Sequence, residues 1–134
     1  MKWTDEFAVG IPAIDDQHKT IFGMCDKYLQ DLSNGDGEAA FGDFLDSLIS
    51  YCDAHFGFEE TCMQIYKCPF AEKNKEQHLA FSAAIKKFKA RFEANGFNSV
   101  DSHLLAKTTQ DWLALHICKT DRNLGESARK HPLE

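Results

Sequence analysis

Four blocks of helical hydrophobic periodicity, parted by short clusters of chain-breaking residues, limit what this chain can fold into more than any other feature. The breakers gather at Gly10 to Pro12, Asn34 to Gly37, Cys68-Pro69 and Asn95 to Ser99, where glycine, proline and asparagine favour turns over continued helix. The first block, about residues 14–32, places Ile14, Ile21, Phe22, Cys25, Leu29 and Leu32 at helical steps, and Asp15 or Asp16 is positioned to cap it. The second, about 38–65, carries Phe41, Phe44, Leu45, Leu48, Ile49, Cys52, Phe56 and Met63 as one stripe and is expected to be the longest helix. The third, about 70–94, repeats the pattern with Phe81, Ile85, Phe88 and Phe92 before the left-handed stop signal Asn95-Gly96. The fourth, about 100–119, uses Leu105, Trp112, Leu113 and Ile117. No alternating segment competes for strand.

Each apolar stripe needs neighbours to cover it, and the connections are short. The expected fold is therefore all-α, an antiparallel up-down-up-down four-helix bundle. Residues 1–13, with Trp3, Phe7, Val9 and Ile11, are expected as an extended N-terminal arm across it. A length of 134 residues suits a single domain with a real core.

Charge and cysteine content exclude several function classes. A formal net charge of −6 with no Lys/Arg run disfavours nucleic acid or an anionic membrane surface as partner. No segment approaches the roughly 20 apolar residues of a membrane span, and Met1-Lys2-Trp3-Thr4-Asp5-Glu6 has no apolar leader segment. A soluble cytoplasmic protein is expected. Five cysteines, Cys25, Cys52, Cys62, Cys68 and Cys118, are an odd number without a C-x-x-C pair, and read as reduced thiols.

The chemistry is carried by polar residues that stand where the periodicity calls for core. His18 continues the stripe of Ile14 and Ile21. His55 follows Cys52 by three residues and Glu59 follows His55 by four, which puts a histidine and a carboxylate one turn apart on one buried face. Asn74 and His78 lead at helical spacing into Phe81, and His116 lies four residues past Trp112. Each helix thus turns one histidine inward. A single histidine on an apolar face is more often a hydrogen-bonded core residue than a ligand. Several buried imidazoles with a carboxylate would cost several kcal/mol unpartnered, roughly the sum of their desolvation penalties, and a metal ion satisfies them together. His103 serves as an internal control: it sits about 220° around the fourth helix from His116 and should face solvent, while His131 falls in the tail. Imidazole and carboxylate ligands suit iron, manganese or zinc.

Three motifs in register resemble the hemerythrin family. They are Gly10-Ile11 with Ile14-Asp15-Asp16-Gln17-His18-Lys19, then His55-Phe56-Gly57-Phe58-Glu59-Glu60, then His116-Ile117-Cys118-Lys119-Thr120-Asp121. The likeness runs from Trp3 to about Leu124. It implies a bundle holding two non-haem irons bridged by Glu59, Asp121 and an oxo or hydroxo group. His18 and His55 would hold the five-coordinate, oxygen-binding iron, with His78 and His116 on the other. Asp121 is five residues past His116, about 140° off its face in a regular helix, so spacing alone does not nominate it; a loosened last turn would aim it inward. Leu113 matches a position that lines the family's dioxygen pocket and is equally an ordinary core residue. The third helix of the family supplies two histidines, five and nine residues after its proline. Here Asn74 and His78 hold those places after Pro69. Either the Asn74 amide coordinates weakly or the ligand is lost to water.

The resemblance implies a dioxygen-binding protein, for storage, delivery or sensing of dioxygen or another diatomic ligand. An oxidase- or peroxidase-like di-iron enzyme, and a metal-poor structural or regulatory bundle, remain as alternatives opened by Asn74.

Overall fold

The computed structural model describes residues 2–130; His131 and the chain beyond it lie outside the described residues. The elements are a short 3-10 turn (Asp5–Phe7), α1 (Pro12–Ser33), α2 (Gly37–Ile65), α3 (Ala71–Asn95), α4 (Ser99–His116), a π-helical turn (Ile117–Asp121) and α5 (Arg122–Lys130). Helix α1 packs on α2 and α4, and α2 also on α3, in the four-helix arrangement that the apolar stripes require. Among the described residues there is no strand, and no helix is long and apolar enough to cross a membrane.

Local chemistry sets the helix ends. Pro12 opens α1, where its missing N–H costs nothing and its fixed φ suits the first turn. Asp15 does not cap α1 as expected. Its carboxylate instead accepts from the backbone N–H of Val9 at 2.8 Å and of Gly10 at 3.4 Å, tying the preceding segment to the helix. Gly96, at φ +79°, ends α3 as its sequence predicts. Asn98 Oδ1 accepts from the Asp101 N–H at 3.0 Å and caps α4.

The core is built by those stripes. Ile14, Leu48, Met63, Ile85 and Leu105 are wholly or almost wholly buried. Tyr28 stacks on Phe44 at 4.4 Å while its hydroxyl donates to the Gly37 carbonyl at 3.1 Å. Helices α3 and α4 meet sparsely, and the stack of Phe81 on Trp112 at 4.2 Å bridges them.

Two features depart from the sequence reading. The arm is not extended throughout, because the 3-10 turn intervenes and α1 begins inside the expected arm; Phe7 stacks on Phe22 at 5.4 Å and Val9 is buried. The last helix does not stop near residue 119. It widens into the π turn and continues as α5, whose single large apolar residue, Leu124, is fully buried. A segment with one apolar anchor and an internal glycine carries no visible stripe. That glycine is what lets α5 close on the arm. A Cβ on Gly125 would run into the Val9 backbone carbonyl, and Arg122 donates to the Glu6 carbonyl beside it.

Gly125→Ala therefore sets a helix-propensity gain of about 1 kcal/mol against an overpacking cost of about 1–3 kcal/mol on backbone that cannot rotate away. The expected net result is a lower urea midpoint, and an unchanged or raised midpoint would show that the arm yields freely.

Candidate metal centre

The inward histidines and carboxylates gather in the middle of the bundle. His18 comes from α1, His55 and Glu59 from α2, Asn74 and His78 from α3, His116 from the last position of α4 and Asp121 from the end of the π turn. None of these residues is more than 4% exposed, and His18, Glu59, Asn74 and Asp121 are at 0%. The π turn explains Asp121. Hydrogen bonding from residue i to i+5 widens the helix and brings a residue five places on toward the face of the first. His103 is exposed, as its helical angle requires.

Each carboxylate spans the two pairs of histidines. Glu59 Oε2 lies 3.3 Å from His18 Nε2 and 3.4 Å from His55 Nε2, while its Oε1 lies 3.2 Å from His78 Nε2 and 3.7 Å from His116 Nε2. Asp121 repeats the division, with Oδ2 at 3.3 Å from His18 Nε2 and Oδ1 at 3.0 Å from His116 Nε2. The donor atoms form two groups that share Glu59, each with all atoms within 4.8 Å: His18, His55 and Glu59, and Glu59, His78, His116 and Asp121.

These atoms are close, yet many make no hydrogen bond. Both ring nitrogens of His18, Glu59 Oε2, both Asp121 oxygens and Asn74 Oδ1 are buried without a hydrogen-bond partner. Native interiors rarely leave such groups unsatisfied, because each costs about 1–3 kcal/mol. The remaining histidines are oriented from behind. His55 Nδ1 meets Gln17 Oε1 at 2.6 Å, His78 Nδ1 meets Glu60 Oε2 at 3.0 Å, and His116 Nδ1 meets Gln77 Oε1 at 2.6 Å. Thr120 Oγ1 also donates to Gln77 Oε1, at 3.0 Å. An acceptor at Nδ1 places the ring proton there and turns the Nε2 lone pair inward. His78 Nε2 and His116 Nε2 then face each other at 3.1 Å. Two lone pairs at that separation call for a cation or a proton between them. The donor set fits a bound metal.

Electrostatics lead the same way. Burial alone draws the His18 and His116 imidazoles down, but the close approach and negative charge of Asp121 and Glu59 outweigh it and lift both to about 9. Burial opposes ionisation of Glu59, yet its contacts with Asp121, His116, His18 and His55 hold the carboxyl well below the usual carboxylate range. Asp121 moves up, through burial and then the charge of Glu59 beside it. Two adjacent carboxylates in a dry site share protons unless cations replace them.

The sequence did not disclose Gln17, Glu60, Gln77 or Thr120. Gln17 and Gln77 each precede a histidine in the chain but orient a histidine of a different helix, a pairing with no local signal. All five cysteines are free and none joins the donor groups.

An antiparallel bundle whose inner faces bring imidazoles and carboxylates to one buried centre belongs to the class of metal-holding helical bundles. The sequence pattern of the Hemerythrin HHE cation binding domain matches residues 9–127. The chain belongs to the hemerythrin family, non-haem iron proteins that bind oxygen. It is 32% identical over 127 residues to a bacteriohemerythrin of Pseudomonas aeruginosa (strain LESB58), covering 95% of this chain and 80% of that protein. It is 35% identical over 126 residues to a bacteriohemerythrin of Methylococcus capsulatus (strain Bath), covering 93% and 94%. A crystal structure of wild-type hemerythrin superposes with a TM-score of 0.83 at 32% identity, covering 95% of this chain and 96% of that one.

Because Gln77 holds His116 through Nδ1, Gln77→Ala is expected to weaken metal uptake by about 10–100-fold, the usual effect of losing an orienting partner. Calorimetric metal titration of the apo chain checks this. Unchanged affinity would mean that packing alone orients the ring.

Proposed function

We propose that this chain binds dioxygen reversibly at a carboxylate-bridged pair of non-haem irons. His18 and His55 would hold one iron and His78 and His116 the other, with Glu59 and Asp121 offering an oxygen to each side. One observation carries the reading: four imidazoles and two carboxylates converge in a sealed interior, with the two oxygens of each carboxylate divided between the two sides. A bound pair of reduced irons would supply the electrons and the Lewis acidity that dioxygen binding needs.

The chain's own residues set the conditions. Gln17, Glu60 and Gln77 fix the tautomers that direct Nε2 inward. Glu59 and Asp121 supply the negative charge that neutralises two cations in a dry interior. Leu113 is 2% exposed, one turn before His116, and Ile21, Phe22 and Ile117 are buried with it in the same core. We assign Leu113 to the apolar wall that excludes water from bound dioxygen, since water and free protons promote irreversible oxidation.

A second reading, an oxidase- or peroxidase-like enzyme, is favoured by Asn74, which stands beside Glu59 without an imidazole to offer.

The test is to load the chain with iron, reduce it without air, admit dioxygen and record the visible spectrum. The expected outcome is a charge-transfer band that persists for minutes and vanishes under vacuum. Rapid decay to a ferric product with consumption of peroxide would replace this reading with the enzyme. Fewer than two irons per chain and no band would sink both.

A further inference from the structure

We infer that the metal position between His78 and His116 keeps an exchangeable coordination place, filled by water and open to a small anion, and that Asn74 serves it as a hydrogen-bond acceptor rather than as a ligand. This rests on the two-metal reading above and concerns only how its second half is completed.

The two halves share their carboxylates, although Asp121 groups with the donors of the His78 and His116 half and touches the other through His18. Each has two imidazoles of its own, and Glu59 and Asp121 divide their oxygens between them. Four protein groups leave a divalent metal with nitrogen and oxygen ligands short of a six-coordinate set, so each half has room for exogenous ligand.

In the second half a further polar side chain lies close by. Asn74 is wholly buried, and its Nδ2 donates to Glu59 Oε1 at 3.0 Å and to Met63 Sδ at 3.1 Å. Its Oδ1 has no partner. Turning the amide over to offer Oδ1 as a ligand would take a charge-assisted hydrogen bond from the bridging carboxylate. It would also turn the N–H groups away from Met63 Sδ, their second acceptor. Hydrogen bonds to a carboxylate are about twice as strong as neutral ones, so the observed orientation is the better satisfied. The amide is therefore committed as a donor on one side. Its buried acceptor remains to be matched, and a metal-bound water, whose two protons are made better donors by the metal, would match it. An anion that takes that place displaces the water.

The probe is cobalt(II) with azide. Apo chain loaded with two cobalt ions is titrated with azide and followed by visible absorption, whose intensity reports coordination number. The expected wild-type result is a change that saturates at two azides per chain. Asn74→His adds an imidazole to the second half and is expected to saturate at one, with about half the spectral change. Asn74→Ala is expected to retain two cobalts and two azides, and if Asn74→His does not fold, this variant and the wild type still decide the matter. The inference is overturned if wild type with two cobalts takes a single azide, or if Asn74→Ala loses the second cobalt. Uptake of fewer than two cobalts by the wild-type chain would instead overturn the two-metal reading beneath it.

Discussion

The structure depends on how a dry helical interior accommodates four histidines and two carboxylic acids at one centre. Stripping charge or polar groups of water without a partner costs several kcal/mol apiece, and a bundle of this size has only about 5–15 kcal/mol of net stability. The solution visible here is mutual. Glu59 and Asp121 face the Nε2 atoms of the histidines, while Gln17, Glu60 and Gln77 engage Nδ1 of three rings from outside. Inward lone pairs thus surround one centre. A metal bound there would satisfy them, and so link loading to the stability of the surrounding helices.

The bundle and its closing segment serve that centre. Helices α1 and α2 present rigid walls with His18, His55 and Glu59 one turn or less from buried apolar residues. Asp121 needs more. It reaches the centre because the chain widens for five residues into a π turn, a costlier geometry than regular helix. That turn is held from beyond by α5, with Leu124 buried and Gly125 pressed against the arm at Val9. A carboxylate in the interior thus relies on the packing of the N-terminal segment, far from it in sequence.

What could be read from the sequence divides along physical lines. The four main helices and the inward places of His18, His55, Glu59, Asn74, His78 and His116 follow from a period of 3.6 residues, which is local. The same angle correctly sends His103 outward. Asp121 escapes that rule because the helix it stands on is not regular, and only family likeness nominated it. Helix α5 escapes because one buried leucine makes no stripe. The orienting partners escape because they act between helices: Gln77 sits beside His78 but serves His116. Asn74 was legible as an inward polar residue, whereas the direction of its amide, donating to Glu59 and leaving Oδ1 unmatched, required coordinates.

On the proposed reading the interior holds two metal ions, with Glu59 and Asp121 between them. Anomalous diffraction at the iron edge from crystals of the iron-loaded protein tests it most directly. Two peaks per chain are expected, about 3.5–4 Å apart as in other two-metal sites, one near His18 and His55 and one near His78 and His116. A single peak, or none within reach of these nitrogens, would contradict it.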